Sequence, residues 1–243
     1  MAGETVKSEA ICLAIHPWSQ TSHVVVWLTP TGKVTTVVKG AERPKSYFLG
    51  QYDLNYTCEI LYYARGTGDV HALREASPLR LREGLRENYR ALALAGYWRT
   101  LVGELAPAGE ECEEWYRLLA GALDRLEAWV REGADQTETS LVQTLVGFEL
   151  EVLKLAGLRP DFSGYDRAAE WSAFGVEAGA FGAGAGGRQI RISREVAEFL
   201  ENPRVAPKNP EIPLDAARVI SVFYQFHLDC ASDVRRAVLK LIS

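Results

Sequence analysis

At Pro78 the hydrophobic period of this chain changes, and that change limits what it can fold into. Before Pro78 apolar residues recur at every second position; after it they recur at every third or fourth. The first pattern belongs to half-buried strands, the second to amphipathic helices. The alternation is plainest in the run Tyr52 to Tyr62. There Tyr52, Leu54, Tyr56, Cys58 and Ile60 interleave with Asp53, Asn55, Thr57 and Glu59. One face of that stretch is expected to be buried and the other wet. Four further strands are expected at Glu9–His16, Ser22–Thr29, Gly32–Lys39 and Val70–Ala76. The turn Thr29-Pro30-Thr31-Gly32 favours a hairpin, since Pro30 fixes φ and Gly32 tolerates the left-handed region. Short strands joined by tight turns suggest a small closed barrel of five strands. The OB-fold is the first candidate and an SH3-like barrel the competing one.

Beyond Pro78 the reading is helical. Leu79 to Ala106 carries Leu85, Tyr89, Leu92, Tyr97, Leu101 and Leu105, as one long helix or two abutting ones, broken at Pro107-Ala108-Gly109. Glu111 to Arg131 shows an apolar stripe of Trp115, Leu118, Leu119, Ala122, Leu126 and Val130, and its acidic first turn suits the helix dipole. Ser140 to Ala156 is the next helix, with Gly157 as its C-cap. Residues 160–191 read as irregular, crowded with Gly175, Gly179, Gly182, Gly184, Gly186 and Gly187. Ser193, Asp215 and Ser232 are candidate caps for three terminal helices, the first ending before Pro203. The fold class is therefore α+β: a five-stranded barrel, OB-fold first and SH3-like second, over residues 1–80, then a mainly α-helical domain over 81–243.

Charge narrows the function. The chain has 243 residues and a net charge of -5, so it is not a globally basic nucleic-acid binder. Residues 1–80 nevertheless hold 8 Lys and Arg against 7 Asp and Glu, while the rest holds 19 against 25. Nucleic-acid binding, if present, must be local to the first part. The stretch Gly32 to Phe48 offers it. A β-branched strand leads into a loop bearing Lys39, Arg43 and Lys45, followed by Tyr47 and Phe48. Cations neutralise phosphates and rings stack on unpaired bases, although each ring could equally pack in the core. Lys33 lies six residues before Lys39 and should point to the same side; Arg65 could join from the next loop. Glu42 is the one acid between Lys33 and Lys45.

Other chemistries find little support. Cys12, Cys58, Cys112 and Cys230 are far apart in sequence, with no metal-ligand spacing. No apolar run reaches the length of a membrane span and no leader is evident, so a reduced, cytoplasmic compartment is expected. Gly182 to Gly187 formally matches GxGxxG but lacks the strand before and helix after that dinucleotide binding needs. His16, Ser19, Ser22 and His23 cluster in sequence yet show no nucleophile elbow, and read as the turn between the first two strands. No catalytic residues, metal or cofactor are expected.

Five segments resemble, in order, the bacterial recombination mediator family RecO. They are EAICLAIHPWSQTSHVVVWLTPTGK, VVKGAERPKS, AGYWRTLVGEL with WYRLLAGALDRL, FELEVLKLAGLRPDF, and FYQFHLDCASDVRRAVL. The resemblance implies a non-catalytic, nucleoid-associated mediator with an N-terminal OB-fold. Such proteins bind single- and double-stranded DNA and anneal complementary strands. With RecR they help load RecA onto strands coated by single-strand-binding protein, whose C-terminal tail would dock on the helical domain. Arg117, Arg125 and Arg131 are candidate cations for that docking. Many members carry a zinc site after the fourth segment; here that region has no Cys or His, so a zinc-less form is expected. The alternatives are an OB-fold module for RNA or a translation partner, and an enzyme centred on the glycine-rich segment.

Overall fold

The computed structural model describes residues 4–64, 70–108, 112–133, 137–182, 187–228 and 232–243. The chain divides into two compact units, Met1–Arg131 and Glu132–Ser243. The change of period at Pro78 is thus a change of secondary structure inside the first unit.

The first unit opens with β1 (Glu4–Ser19), β2 (Ser22–Thr29), β3 (Gly32–Val38), β4 (Thr57–Ala64) and β5 (Val70–Arg80). They close into a barrel in the order β1-β2-β3-β5-β4, with β4 returning to β1. All pairs are antiparallel except β3 with β5, which run parallel over Thr35–Val37 and Val70–Ala72. This is the five-stranded OB topology expected from the turn spacing. Alternate residues fill the interior: Ala10, Cys12, Val25, Trp27, Val38, Cys58, Ile60 and Leu73 are buried in one cluster. Trp27 is wholly enclosed and its indole N–H donates to Thr36 Oγ1 at 2.9 Å, so the polar edge of the ring is satisfied.

Two boundaries differ from the sequence expectation. Tyr52 to Tyr56 is not strand; β4 starts at Thr57. Asn55 takes a left-handed conformation (φ 67), and the Asn55 and Tyr56 backbones bond to Cys12 instead of continuing the ladder. Tyr52 and Tyr56 are buried all the same, which is why the segment imitates a strand in sequence. At the far end, Leu79 and Arg80 belong to β5, and the helix begins ten residues later than Leu79. Pro78, without an N–H, is tolerated beside an irregularity in the β4–β5 register. A short 3-10 turn, Glu83–Glu87, precedes α1 (Tyr89–Leu105). Asn88 caps α1, its Oδ1 accepting from the N–H groups of Arg90 and Ala91 at 3.1 Å. α2 (Glu113–Glu132) buries Trp115, Leu119, Ala122, Leu123, Leu126 and Val130, essentially the stripe read from sequence.

The second unit is built on α3 (Glu138–Leu155), α4 (Arg194–Glu201), α5 (Ile212–His227) and α6 (Ser232–Ile242). Thr137 caps α3, and its C-terminus ends in a Schellman turn: Leu158 N–H reaches Leu153 O at 2.8 Å around left-handed Gly157. Ser193 caps α4 as expected. Asp215 does not cap α5; the helix starts at Ile212, because Pro213 sits comfortably in its first turn, and Asp215 pairs with Arg218. The segment 160–191 is less irregular than it reads. It holds β6 (Trp171–Gly175), β7 (Ala180–Phe181) and the start of β8 (Gln189–Ser193), an antiparallel sheet in the order β7-β6-β8. Residues 183–186 of the GxGxxG match lie outside the described residues.

Candidate nucleic-acid interface

The loop from Lys39 to Tyr56 starts at Gly40, whose φ of +66 and whose approach to Arg43 favour glycine: a Cβ there would lie 3.1 Å from Arg43 Cδ. Successive tight turns follow, with Arg43 N–H to Gly40 O, Ser46 N–H to Arg43 O, Leu49 N–H to Ser46 O and Gln51 N–H to Phe48 O at 2.8–3.4 Å. Tyr56 closes the loop in the barrel core, and three side chains before it fasten the rest. Ala41 and Tyr52 are buried, and Phe48 packs against the barrel core. The cations point outward: Lys39, Arg43 and Lys45 are exposed, and Tyr47 is 96% exposed. Of the two candidate rings, Tyr47 faces solvent and Phe48 is an anchor.

The β1–β2 hairpin braces the same loop. Glu42 N–H donates to Thr21 O at 3.2 Å, and Gly40 N–H to Ser22 Oγ at 3.1 Å. His23 links the two segments, with Nδ1 2.8 Å from Tyr52 Oη and Nε2 2.9 Å from Glu42 Oε1. Burial holds the Tyr52 hydroxyl well above the usual tyrosine range, so it stays protonated as a hydrogen-bonding partner. The contact with His23 also engages Glu42, the one acid between Lys33 and Lys45, while the loop's other acid, Asp53, pairs with Arg86 at 2.6 Å. Among the described residues no carboxylate lies within 4.0 Å of the Lys39, Arg43 or Lys45 cations. The loop therefore presents a local positive field on an acidic chain.

Two other candidate positions have different surroundings. Lys33 donates from Nζ to Gly103 O at 3.0 Å, near the C-terminal end of α1, where a cation is favoured. It shares the outer side of β3 with Lys39 but stands at the opposite end of the strand, roughly 20 Å away at 3.3 Å per residue. Lys33 thus fastens the barrel to α1 while Lys39 belongs to the loop. Arg65 lies outside the described residues. Arg117 and Arg131, considered for tail docking, each pair with the glutamate four residues earlier, Glu113 and Glu127.

Sequence reasoning passed over Trp18. The register steps from Pro17 opposite His23 to Ser19 opposite Ser22, leaving Trp18 as the extra residue of a bulge. Bulges re-aim side chains, and this one leaves Trp18 71% exposed at the hairpin that braces the loop. The available signal was a tryptophan in the polar run HPWSQTSH, where a core position is not expected.

The buried thiols take no part. Cys12 and Cys58 lie in the barrel interior, where burial raises both thiol pKa values, that of Cys58 to about 12. Among the described residues no three His, Cys, Asp or Glu side chains gather as a metal site, and no helix is long and apolar enough to cross a membrane.

Comparison with known proteins places these features in a family. The family model described as recombination protein O N terminal matches residues 1–82, and that described as recombination protein O C terminal matches residues 86–164. A DNA repair protein RecO from Alkaliphilus metalliredigens is 26% identical over 157 residues, 64% of this chain and 59% of that relative. One from a Roseiflexus species is 29% identical over 160 residues, 66% of this chain and 53% of the relative. One from Geobacter metallireducens is 32% identical over 125 residues, 51% of this chain and 50% of the relative. The matched part of the chain spans 50–59% of the length of these relatives. With both family models matching in order across the barrel and the helices that follow, the chain belongs to the RecO family.

Proposed function

We propose that this protein is a non-catalytic mediator of DNA repair and recombination whose N-terminal barrel, residues 1–80, holds DNA on the loop carrying Lys39, Arg43, Lys45 and Tyr47. Trp18 adjoins this surface. Lys33 and Phe48 support it by fixing the strand and the loop. Membership of a family whose relatives are named DNA repair proteins supports the role. The observation that carries the placement is the stapled loop itself. Three cations without close carboxylate partners and one fully exposed ring stand on a segment anchored at Ala41, Phe48 and Tyr52. Such a surface suits phosphates with unpaired bases alongside.

In this reading the protein binds single- and double-stranded DNA and anneals complementary strands in the cytoplasm, at the nucleoid. It cooperates with RecR and docks the C-terminal tail of single-strand-binding protein on its helical part, so acting on RecA indirectly. The resemblance supports these partners.

The test is DNA affinity against salt for the wild type and for the double variant Lys39→Glu with Arg43→Glu. Each single-strand phosphate contact contributes about −0.7 to the logarithmic salt slope, so losing two should flatten it by roughly 1.4. Affinity should fall for all sequences alike, and annealing of complementary strands should slow with it. An unchanged affinity and slope in a folded variant would move the DNA surface elsewhere.

A further inference from the structure

A second face, in the Glu132–Ser243 unit, has the same kind of chemistry, and it lies beyond residue 164, where the family match ends. In the β6–β8 pair, Trp171 stands opposite Ser193 and Ala173 opposite Arg191. Strand alternation puts these four side chains on one side of the small sheet and Phe174 and Ile192 on the other. The inner side is buried, with Phe174 stacked on Phe162 at 5.1 Å between ring centroids. The outer side is open: Trp171 is 46% exposed, and Ala173 and Arg191 are exposed. The Arg191 guanidinium lies 5.5 Å from the centroid of the Trp171 ring. Ala173, opposite Arg191 and two residues from Trp171, adds only a methyl group, so this part of the face stays flat.

Arginines surround it. Arg188 immediately precedes β8, and Arg194 immediately follows it. Arg194 Nη1 donates to Arg167 O at 3.3 Å, which places Arg167 at the same edge. Among the described residues no carboxylate lies within 4.0 Å of Arg167, Arg188 or Arg191, and the Glu198 partner of Arg194 is at 3.9 Å. Asp166, Glu170, Glu177 and Glu195 are the acids of this region; Asp166 Oδ1 accepts from Ala168 N–H. A tryptophan on the wet side of a sheet, joined to a guanidinium and ringed by cations, suits a ligand that is planar and aromatic in its units and anionic along its length. An unpaired nucleic-acid strand has both properties. An acidic peptide has only the second.

We propose that this face is a second site for single-stranded nucleic acid, with a base stacking on the Trp171–Arg191 pair and phosphates held by Arg167, Arg188 and Arg194. The inference shares with the proposed function the nature of the ligand, but not the position of the first site. It would give one chain two places to hold strands.

The test uses the full chain and a fluorescent oligothymidylate. In the Lys39→Glu, Arg43→Glu background the residual affinity should fall about tenfold further on Trp171→Ala. It should also fall on Arg191→Ala and be largely retained on Trp171→Phe. Oligonucleotides carrying 5-iodouracil should photocrosslink to the peptide containing Trp171. Thermal midpoints confirm that each variant is folded, and Arg191→Ala removes only an exposed side chain should Trp171→Ala unfold. The proposal is overturned if residual affinity ignores both substitutions, if none remains once the loop is reversed, if crosslinks map only to the barrel loop, or if polyglutamate competes as well as the oligonucleotide. Binding that ignores the loop substitutions but falls with Trp171→Ala would sink the loop assignment and leave this site standing.

Discussion

Among the described residues each unit of this protein buries one arginine, and the two are partnered in opposite ways. In the helical unit Arg235 of α6 meets Glu149 of α3 head on. Its Nε and Nη2 donate to the two carboxylate oxygens at 2.6 and 2.8 Å, and Glu149 has no exposed surface. Ser221 and the Ala217 carbonyl take further donors, and the guanidinium lies 5.4 Å from the Tyr224 ring centroid. In the barrel unit Arg82 is equally enclosed, but its acid, Asp124, is 40% exposed at the side chain. Its other acceptors are the Asn55 carbonyl at 2.6 Å and Thr57 Oγ1 at 3.0 Å. The first arrangement is a closed ion pair joining three helices. The second is a cation that secures the turn before β4, with its counter-charge reaching water. The difference teaches that a buried charge can specify packing between helices, or hold a loop in a conformation that its own sequence does not favour.

The largest expected effect comes from opening the closed pair. Arg235→Ala strands a buried carboxylate and should destabilise the helical unit by about 3–5 kcal/mol, read by chemical denaturation. Replacing both partners, Glu149→Leu with Arg235→Met, should recover most of that loss, since the charge and its desolvation disappear together. A double variant no more stable than Arg235→Ala would show that the helices need the ion pair itself. Next comes Asp124→Ala, expected to cost about 1 kcal/mol, because Arg82 keeps its Asn55 and Thr57 acceptors and removing the half-exposed Asp124 side chain lets water in to replace it. A loss as large as that of Arg235→Ala would erase the contrast. At neutral pH the smallest effect is that of a thiol, since it appears only in alkali. The Cys58 thiol moves from its ordinary 9.0 to about 12 in the folded barrel. Between those values the unfolded chain gives up a proton that the folded one keeps. Stability therefore declines as pH rises through this window, by about 1.4 kcal/mol per pH unit for one such thiol. Cys58→Ala should flatten that decline.

How much of this was legible in sequence depended on how local the determinants were. The β2–β3 hairpin, the stripe of α2, the Ser193 cap and the Gly157 end of α3 are all set within a few residues, and all read correctly. Tyr52 to Tyr56 misled because both tyrosines are buried, Tyr52 against distant His23 and Trp27, while the backbone turns away from the ladder. The sheet at 171–193 was hidden because glycines dominate its turns and its strands are two to five residues long. At the candidate site, charge placed Lys39, Arg43 and Lys45 on a loop correctly. Only tertiary structure separates Tyr47 from Phe48, or turns Lys33 toward a carbonyl of α1. Trp18 stood out only as a tryptophan in a polar run; the bulge that exposes it depends on the register of two strands.

The barrel closes through its shortest ladder. β3 and β5 meet over three residue pairs, Thr35–Val37 with Val70–Ala72, whereas β1 and β4 meet over eight. Few hydrogen bonds hold that seam, and the chain between its two sides must be ordered before it can form. Its amides should be the first of the barrel to exchange with solvent, and its formation the last step of folding. Whenever it parts, β3 and β5 become free strand edges, able to pair with the same edges on another molecule. Brief opening of this one seam is therefore the route by which a barrel without edges could begin to aggregate.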